Sequence, residues 1–194
     1  MVAKEVGREF LSRACEYLIS LPFDVKALQE AVSNQDLERE ARELAAGVVI
    51  YTLNHHQEGN GIERFIDSVF LVRIAFEQVV LRGGEGSHAF RERFAEIYGA
   101  LDRDIDVFRS YLGPELWSWL NGRLPAFSRL TLKGKRPRQY VDDTEALDQL
   151  YEDCLDFQTN YNITEAQVQN RLRRPEQIAE YLQRRHAEDS KKRS

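Results

Sequence analysis

The chain has little of what staples a protein or anchors it in a bilayer. Its two cysteines, Cys15 and Cys154, lie far apart and outside any paired motif. That excludes a disulfide framework. Both fall on apolar stripes of predicted helices, so two buried free thiols are expected. The longest apolar stretch, Leu44–Leu53, is too short to span a bilayer. The opening MVAKEVGREFLSRACEYLIS is interrupted by charges and holds no apolar run of signal-peptide length. A cytoplasmic location is the resulting expectation. No internal repeat and no low-complexity linker occurs.

What is present is the material of a helical core. Hydrophobic residues make up 42% of the 194 positions and charged residues 30%. This suits one domain with a sizeable interior and a well-solvated surface. Apolar residues recur at three- and four-residue steps, the period of an amphipathic helix. The first helix is read over 6–21, ended by Pro22, with Asp24 capping a short helix over 25–32. Further helices are read over 36–53, 62–81 and 88–112, the last capped by Ser87. Gly113-Pro114 ends that helix and starts a short one carrying Trp117 and Trp119. A short helical turn and an extended loop follow over 124–140, with 129–133 the only strand candidate. Asp142 or Asp143 caps a helix reaching about 160, Thr164 caps the next, and Pro175 opens the last. The segments 44–53 and 62–81 are apolar almost all round, which places them centrally. The expected fold is therefore all-α, an irregular multi-helix bundle with two central apolar helices. Its bundle domain covers 1–160, and a C-terminal helical appendage covers 161–194 with a frayed basic tail.

Four places could carry chemistry. His55 and His56, read as a loop with Gln57 and Glu58, are candidate metal ligands. Adjacent histidines diverge, however, and the metalloprotease pattern of histidines four apart around a glutamate is missing. The run Arg82-Gly83-Gly84-Glu85-Gly86-Ser87 precedes a helix but lacks the strand and the Gly-Lys-Ser/Thr ending of a phosphate loop. It reads as a turn between helices. Asp102, Asp104 and Asp106 cluster on one helix, with Asp102 and Asp106 a turn apart. Arg103 and Arg109 beside them make a solvated, ion-paired face the simpler account. The fourth place is a charge map. Residues 123–138 hold Arg123, Arg129, Lys133, Lys135, Arg136 and Arg138 and no acid, a local charge of +6. Residues 171–194 carry +4, leaving −15 for the rest of a chain whose net charge is −5. Segregated charge marks where partners dock. The basic loop either binds an anion, with Phe127 and Tyr140 placed to stack on bases, or pairs with Glu145, Asp148, Glu152 and Asp156 on the next helix. Internal pairing is the favoured expectation. Of Trp117 and Trp119, two apart on one helix, one is expected in the core and the other as a partner anchor. The C-terminal helix, with Ile178, Tyr181 and Leu182 on one face, is expected to dock on the body of the protein.

One stretch is similar to a known family. Ala45-Ala46-Gly47 and Tyr51-Thr52-Leu53, followed by Phe65-Ile66-Asp67-Ser68, resemble the paired helices of the YkvA-type bacterial helical domain of unknown function. The likeness covers 44–80. Ser68 stands where that family has a second aspartate, and the family's Asp-Ile-Pro-Asp loop has become NHHQEGNG. The resemblance implies a helical domain and no activity. By charge alone, Asp67 beside Arg64 or Arg73 reads as a helix-surface residue.

These observations favour a non-enzymatic interaction or adaptor domain that needs no cofactor. It would hold a protein partner through Arg123, Arg129, Lys133, Lys135, Arg136, Arg138, Trp117 or Trp119. Two alternatives stand beside it: a metal-dependent hydrolase built on His55, His56 and Asp67, and nucleic-acid or other anion binding through 123–138.

Overall fold

The computed structural model describes residues 2–56 and 61–193, and among them it holds nine α-helices, three short 3-10 turns and no strand. The fold is all-α, an irregular multi-helix bundle. None of the described helices is long and apolar enough to cross a membrane.

Helices α2 (Arg39–His56) and α3 (Ile66–Arg82) pack on each other at the centre. Every residue of α2 from Ala45 to Leu53 is buried, as is every residue of α3 from Ile66 to Phe76. A helix apolar on all faces has to be enclosed on all faces. Here α1 (Val2–Ser33), α5 (Ala95–Arg123) and α7 (Thr144–Asn160) complete the enclosure. Phe10 of α1 stacks on Phe70 of α3 at 5.8 Å, and Phe108 of α5 meets Phe10 edge-on.

The stop predicted at Pro22 does not occur: α1 runs unbroken to Ser33. A proline inside a helix deprives the carbonyl four residues earlier of its amide partner. That carbonyl belongs to Leu18, and the Tyr161 hydroxyl donates to it instead at 2.5 Å. Asp24 consequently caps nothing. It lies mid-helix, buried, accepting from the Ser20 hydroxyl at 2.8 Å and from the Arg73 guanidinium.

The long helix read over 88–112 is in fact two. Phe94, at φ −109° and ψ 40°, separates α4 (Ser87–Arg93) from α5. Ser87 is the first residue of α4 rather than its cap, and its hydroxyl meets no partner among the described residues. Gly113, at φ 77°, breaks α5 as expected, with Pro114 opening the segment that carries both tryptophans. Asp143 caps α7 through the amides of Glu145 and Ala146, and Thr164 caps α8 (Glu165–Arg171) through that of Gln167. The last stretch contributes Val168, Leu172, Ile178 and Leu182 to the same core as the bundle, and α9 (Pro175–Arg193) remains helical to Arg193.

Candidate functional site: a basic turn beside a cleft

The segment after α5 winds into a 3-10 turn, Leu124–Arg129, and then reverses. Leu132 and Lys135 exchange both backbone hydrogen bonds at 3.0 Å. The two residues between them, Lys133 (φ 50°) and Gly134 (φ 79°), both lie in the left-handed region, as a type I′ turn requires. This isolated bridge takes the place of the strand considered over 129–133. Three elements pin the turn. The Tyr140 hydroxyl of α6 (Pro137–Asp142) donates to the Leu132 carbonyl at 2.7 Å. The Asn54 amide of α2 donates to the Thr131 carbonyl at 3.1 Å. The Lys133 ammonium meets Asp153 of α7 at 2.5 Å. Arg138 adds a pair with Asp142 at 3.5 Å.

Internal pairing is thus real but partial, and its acid differs from those expected. Glu145, Asp148, Glu152 and Asp156 stay exposed on the outer face of α7, while half-buried Asp153 takes the lysine. Exposed Arg129 and Arg136 and half-buried Lys135 have no acid within 4.0 Å among the described residues. Phe127 and Tyr140 cannot stack on bases. Both are buried, Phe127 against the Tyr51 ring at 4.6 Å.

Arg123, the first cation of the run, faces inward. It is 7% exposed, and Asp67 at the start of α3 is 0% exposed. Its Nη1 donates to Asp67 Oδ2 at 2.7 Å and its Nη2 to the Tyr51 hydroxyl at 2.5 Å, which itself donates to the same Oδ2 at 2.5 Å. Helix α9 closes the cluster: Arg185 lies 3.8 Å from Asp67, and Asp189 lies 3.7 Å from Arg123 and accepts from the Trp119 indole at 3.3 Å. Neither Arg123 nor Asp67 is therefore the surface residue that the sequence suggests. Burial, then the Asp67 charge, drives the Tyr51 hydroxyl pKa far above its ordinary value. Burial opposes the charge on Arg185, but Asp67 and Tyr51 together outweigh it and raise its pKa. Both shifts run upward, away from neutrality, so neither the Tyr51 hydroxyl nor the Arg185 guanidinium releases a proton there. Trp117 and Trp119 are both 9% exposed, so neither projects as an anchor. Trp119 lies under α9, and Trp117 lies beneath the Arg109 guanidinium at 5.7 Å.

His55 and His56 form the last turn of α2 rather than a loop; Gln57 and Glu58 lie outside the described residues. Successive helical residues point about 100° apart. His55 Nδ1 lies 2.8 Å from the Tyr51 carbonyl oxygen. The His56 ring packs edge-on against Phe157 at 5.0 Å, and burial, with Arg64 nearby, lowers its pKa. Asp67 is committed to the arginines, and among the described residues no three His, Cys, Asp or Glu side chains converge as metal ligands.

A second interior network escaped the sequence reading altogether. Asp104, 0% exposed, accepts from the Tyr17 hydroxyl and lies 3.4 Å from Arg13. The Arg73 guanidinium stacks 3.6 Å above the Tyr17 ring while pairing with Asp24. The expected solvated face therefore holds only for Asp102 and Asp106, which reach Arg91 and Arg109. The available signal was register: Asp104 is in phase with Leu101 and Phe108 on the buried stripe.

The glycine-rich run is a turn, as expected, and its glycines serve packing. A Cβ on Gly83 would lie 2.5 Å from the Val79 carbonyl oxygen, and one on Gly86 would lie 2.2 Å from that of Asp36.

Beside the basic turn lies a cleft of about 360 Å³ between α2, the end of α3 and the end of α5. Leu44, Gly47, Leu124 and Phe127 form its apolar lining. Glu40 and Arg82, also part of the lining, pair with each other. Gly47 lets α2 approach this turn closely, since a Cβ there would lie 3.0 Å from that of Phe127, a tight contact. Ser128 forms one wall, and Arg129 follows it directly into the basic turn.

No family model matches this chain, and neither does any curated protein or any solved structure.

Proposed function

We propose that the chain is a non-enzymatic, cytoplasmic interaction domain of adaptor type, which grips an acidic segment of a protein partner. An apolar side chain of that segment enters the cleft over Leu44, Leu124 and Phe127. Flanking carboxylates meet Arg129, Lys135 and Arg136. One observation carries this reading: cations with no acid within 4.0 Å among the described residues stand on a turn locked by backbone and side-chain hydrogen bonds, directly beside a cleft with an apolar lining. A preorganised turn loses little conformational freedom on binding, and complementary charge steers the encounter.

The nucleic-acid reading has less support. No aromatic ring of the turn is free to stack, and a chain of net charge −5 repels a polyanion at range. The hydrolase reading has less still, because the Asp67 carboxylate is held by Arg123 and Tyr51. The likeness of 44–80 to the YkvA-type bacterial domain adds no activity to weigh against an adaptor role.

Selection from a random peptide display library on the immobilised protein tests the proposal. Enrichment of Leu, Phe or Trp flanked by Asp and Glu is expected. The selected peptides should lose at least tenfold in affinity for Arg129→Glu/Lys135→Glu/Arg136→Glu. Enriched peptides that are basic, or that bind the triple variant equally well, defeat the reading.

A further inference from the structure

Another cleft, of about 640 Å³, lies where the first turns of α1 meet the first turn of α9. None of its residues lines the cleft beside the basic turn. Small-molecule sites occupy about 300–1,000 Å³ and combine an apolar floor with a few placed polar groups. Here the floor is Gly7 and Leu11 of α1, Tyr111 of α5 and Pro175 of α9. The Tyr111 ring is held by stacking on Phe10 at 4.2 Å. Gly7 keeps the floor open: a Cβ there would stand 3.3 Å from the Tyr111 ring and 3.4 Å from Pro175.

The rim is cationic. Lys4 and Arg8, one helical turn apart, share a face of α1 with Gly7 and Leu11. Arg173 and Arg174 come from the connection between α8 and α9, and all four cations are exposed. Glu176 is the one acid of the lining, which therefore carries a net +3. Among the described residues no acid lies within 4.0 Å of any of the four, although their sequence neighbours Glu9 and Arg171 do form pairs, with Arg103 at 2.6 Å and Glu63 at 2.8 Å. Like charges gathered at one cavity repel each other, and an anion between them turns that repulsion into attraction. One edge is also preset: the Gln177 side chain accepts from the Arg173 and Arg174 amides at 2.8 and 3.0 Å, and the Arg173 ε-nitrogen donates to the Asn170 carbonyl at 3.2 Å.

We propose that this cleft binds a small soluble organic diphosphate of the nucleoside diphosphate class, its phosphoryl groups among Lys4, Arg8, Arg173 and Arg174 and its less polar body on Gly7, Leu11 and Pro175. Guanidinium forks match phosphoryl oxygens two at a time. A phosphoryl group carries about −1.5 to −2 at neutral pH, so two of them balance the +3 of the lining. The surroundings select against a longer polyanion and against an anionic bilayer. Glu5 and Glu9 line the adjoining hollow on α1, and Glu176 stands on the other side, so negative charge extending past the cleft meets carboxylates. The site shares no residue with the peptide cleft, and either stands without the other.

Calorimetric titration of the full chain at low salt with adenosine diphosphate, inorganic pyrophosphate and adenosine tests this. Adenosine diphosphate should bind most tightly, because only it reaches both rim and floor, and adenosine should give no heat. Arg8→Glu/Arg174→Glu should weaken adenosine diphosphate at least tenfold, while Arg129→Glu/Lys135→Glu/Arg136→Glu should bind it as the unaltered protein does. Should the first variant fail to fold, Lys4→Gln, in the exposed first turn of α1, should weaken binding at least threefold. No heat from either phosphate compound overturns the proposal, as does unchanged affinity in the cleft variants. Pyrophosphate or adenosine binding as tightly as adenosine diphosphate also overturns it, and so does binding confined to single-stranded DNA or to anionic vesicles.

Discussion

The Tyr161 hydroxyl stands 2.5 Å from the Leu18 carbonyl oxygen and supplies the hydrogen bond that Pro22 cannot. Residues 143 positions apart thus repair a single turn of helix. Replacing Tyr161 by Phe should cost about 1–2 kcal/mol, the penalty for a carbonyl left without a donor. With Pro22→Ala in place, position 22 regains a backbone amide that serves the Leu18 carbonyl, and the same replacement should cost less. Urea unfolding of the four proteins forms a double-mutant cycle. Additive losses would show that the hydroxyl and the proline are independent.

Asp67 and Arg123 should behave as a unit. Removing one partner of a buried ion pair costs about 3–5 kcal/mol, because the other charge stays in the interior. Arg123→Met should fall in that range, and so should Asp67→Leu. Asp67→Leu/Arg123→Met together should cost clearly less than their sum, measured by the same denaturation. A cycle that closes at zero coupling would contradict the geometry.

His56 should give the protein an acid-sensitive stability. Its folded pKa lies below the ordinary 6.5, through burial first and Arg64 second, while Asp156 opposes them. The unfolded chain therefore binds the proton more readily. The contribution is fully present above the unfolded value and is lost as pH falls through the folded one. Melting temperature should drop on acidification from pH 7 toward 5. His56→Phe, which keeps a ring against Phe157, should flatten that slope. An unchanged slope would assign the effect elsewhere.

The two thiols should be sluggish. Burial pushes the Cys154 thiol up to about 12 and the half-buried Cys15 thiol up to about 11. The thiolate is the reactive form. At pH 8 the folded protein should react with a disulfide reagent far more slowly than free cysteine does, Cys15 ahead of Cys154, with both released by denaturant. Rapid labelling of Cys154 in the native state would contradict its burial.

Most of the architecture was written in helical periodicity. The all-round apolar character of 44–53 and 62–81 marks them as central, and Asp143, Thr164 and Pro175 mark starts by local capping chemistry. The failures share a cause. Pro22, Asp24, Asp67, Arg73, Asp104 and Arg123 each have a local meaning that a distant partner overrides: Tyr161, Arg73 or Asp24, Arg123, and Tyr17. A composition-based charge map counts Arg123 with its neighbours, because nothing local says that one arginine of six turns inward. The cleft was invisible for the same reason, since its lining comes from three separated segments. The basic turn was legible as a cluster of charge, but its rigidity was not: that depends on Asn54, Tyr140 and Asp153 arriving from three helices.

Gly86 sets a limit on how this chain can vary. Its missing methyl would occupy ground already held by the Asp36 carbonyl oxygen, 2.2 Å away. Neither side can retreat, because the Leu37 amide is tied to Asn34 and the Glu38 amide to Gly83. Any single-codon drift at this position adds atoms where two backbones already touch. Saturation libraries selected for soluble expression should therefore return glycine at 86 almost without exception. They should accept broad replacement at Gly99 and Gly122, whose added Cβ would meet nothing within 4 Å. The glycine with least room to change is thus one in a short connection between helices, where main chain rather than side chain sets the fit.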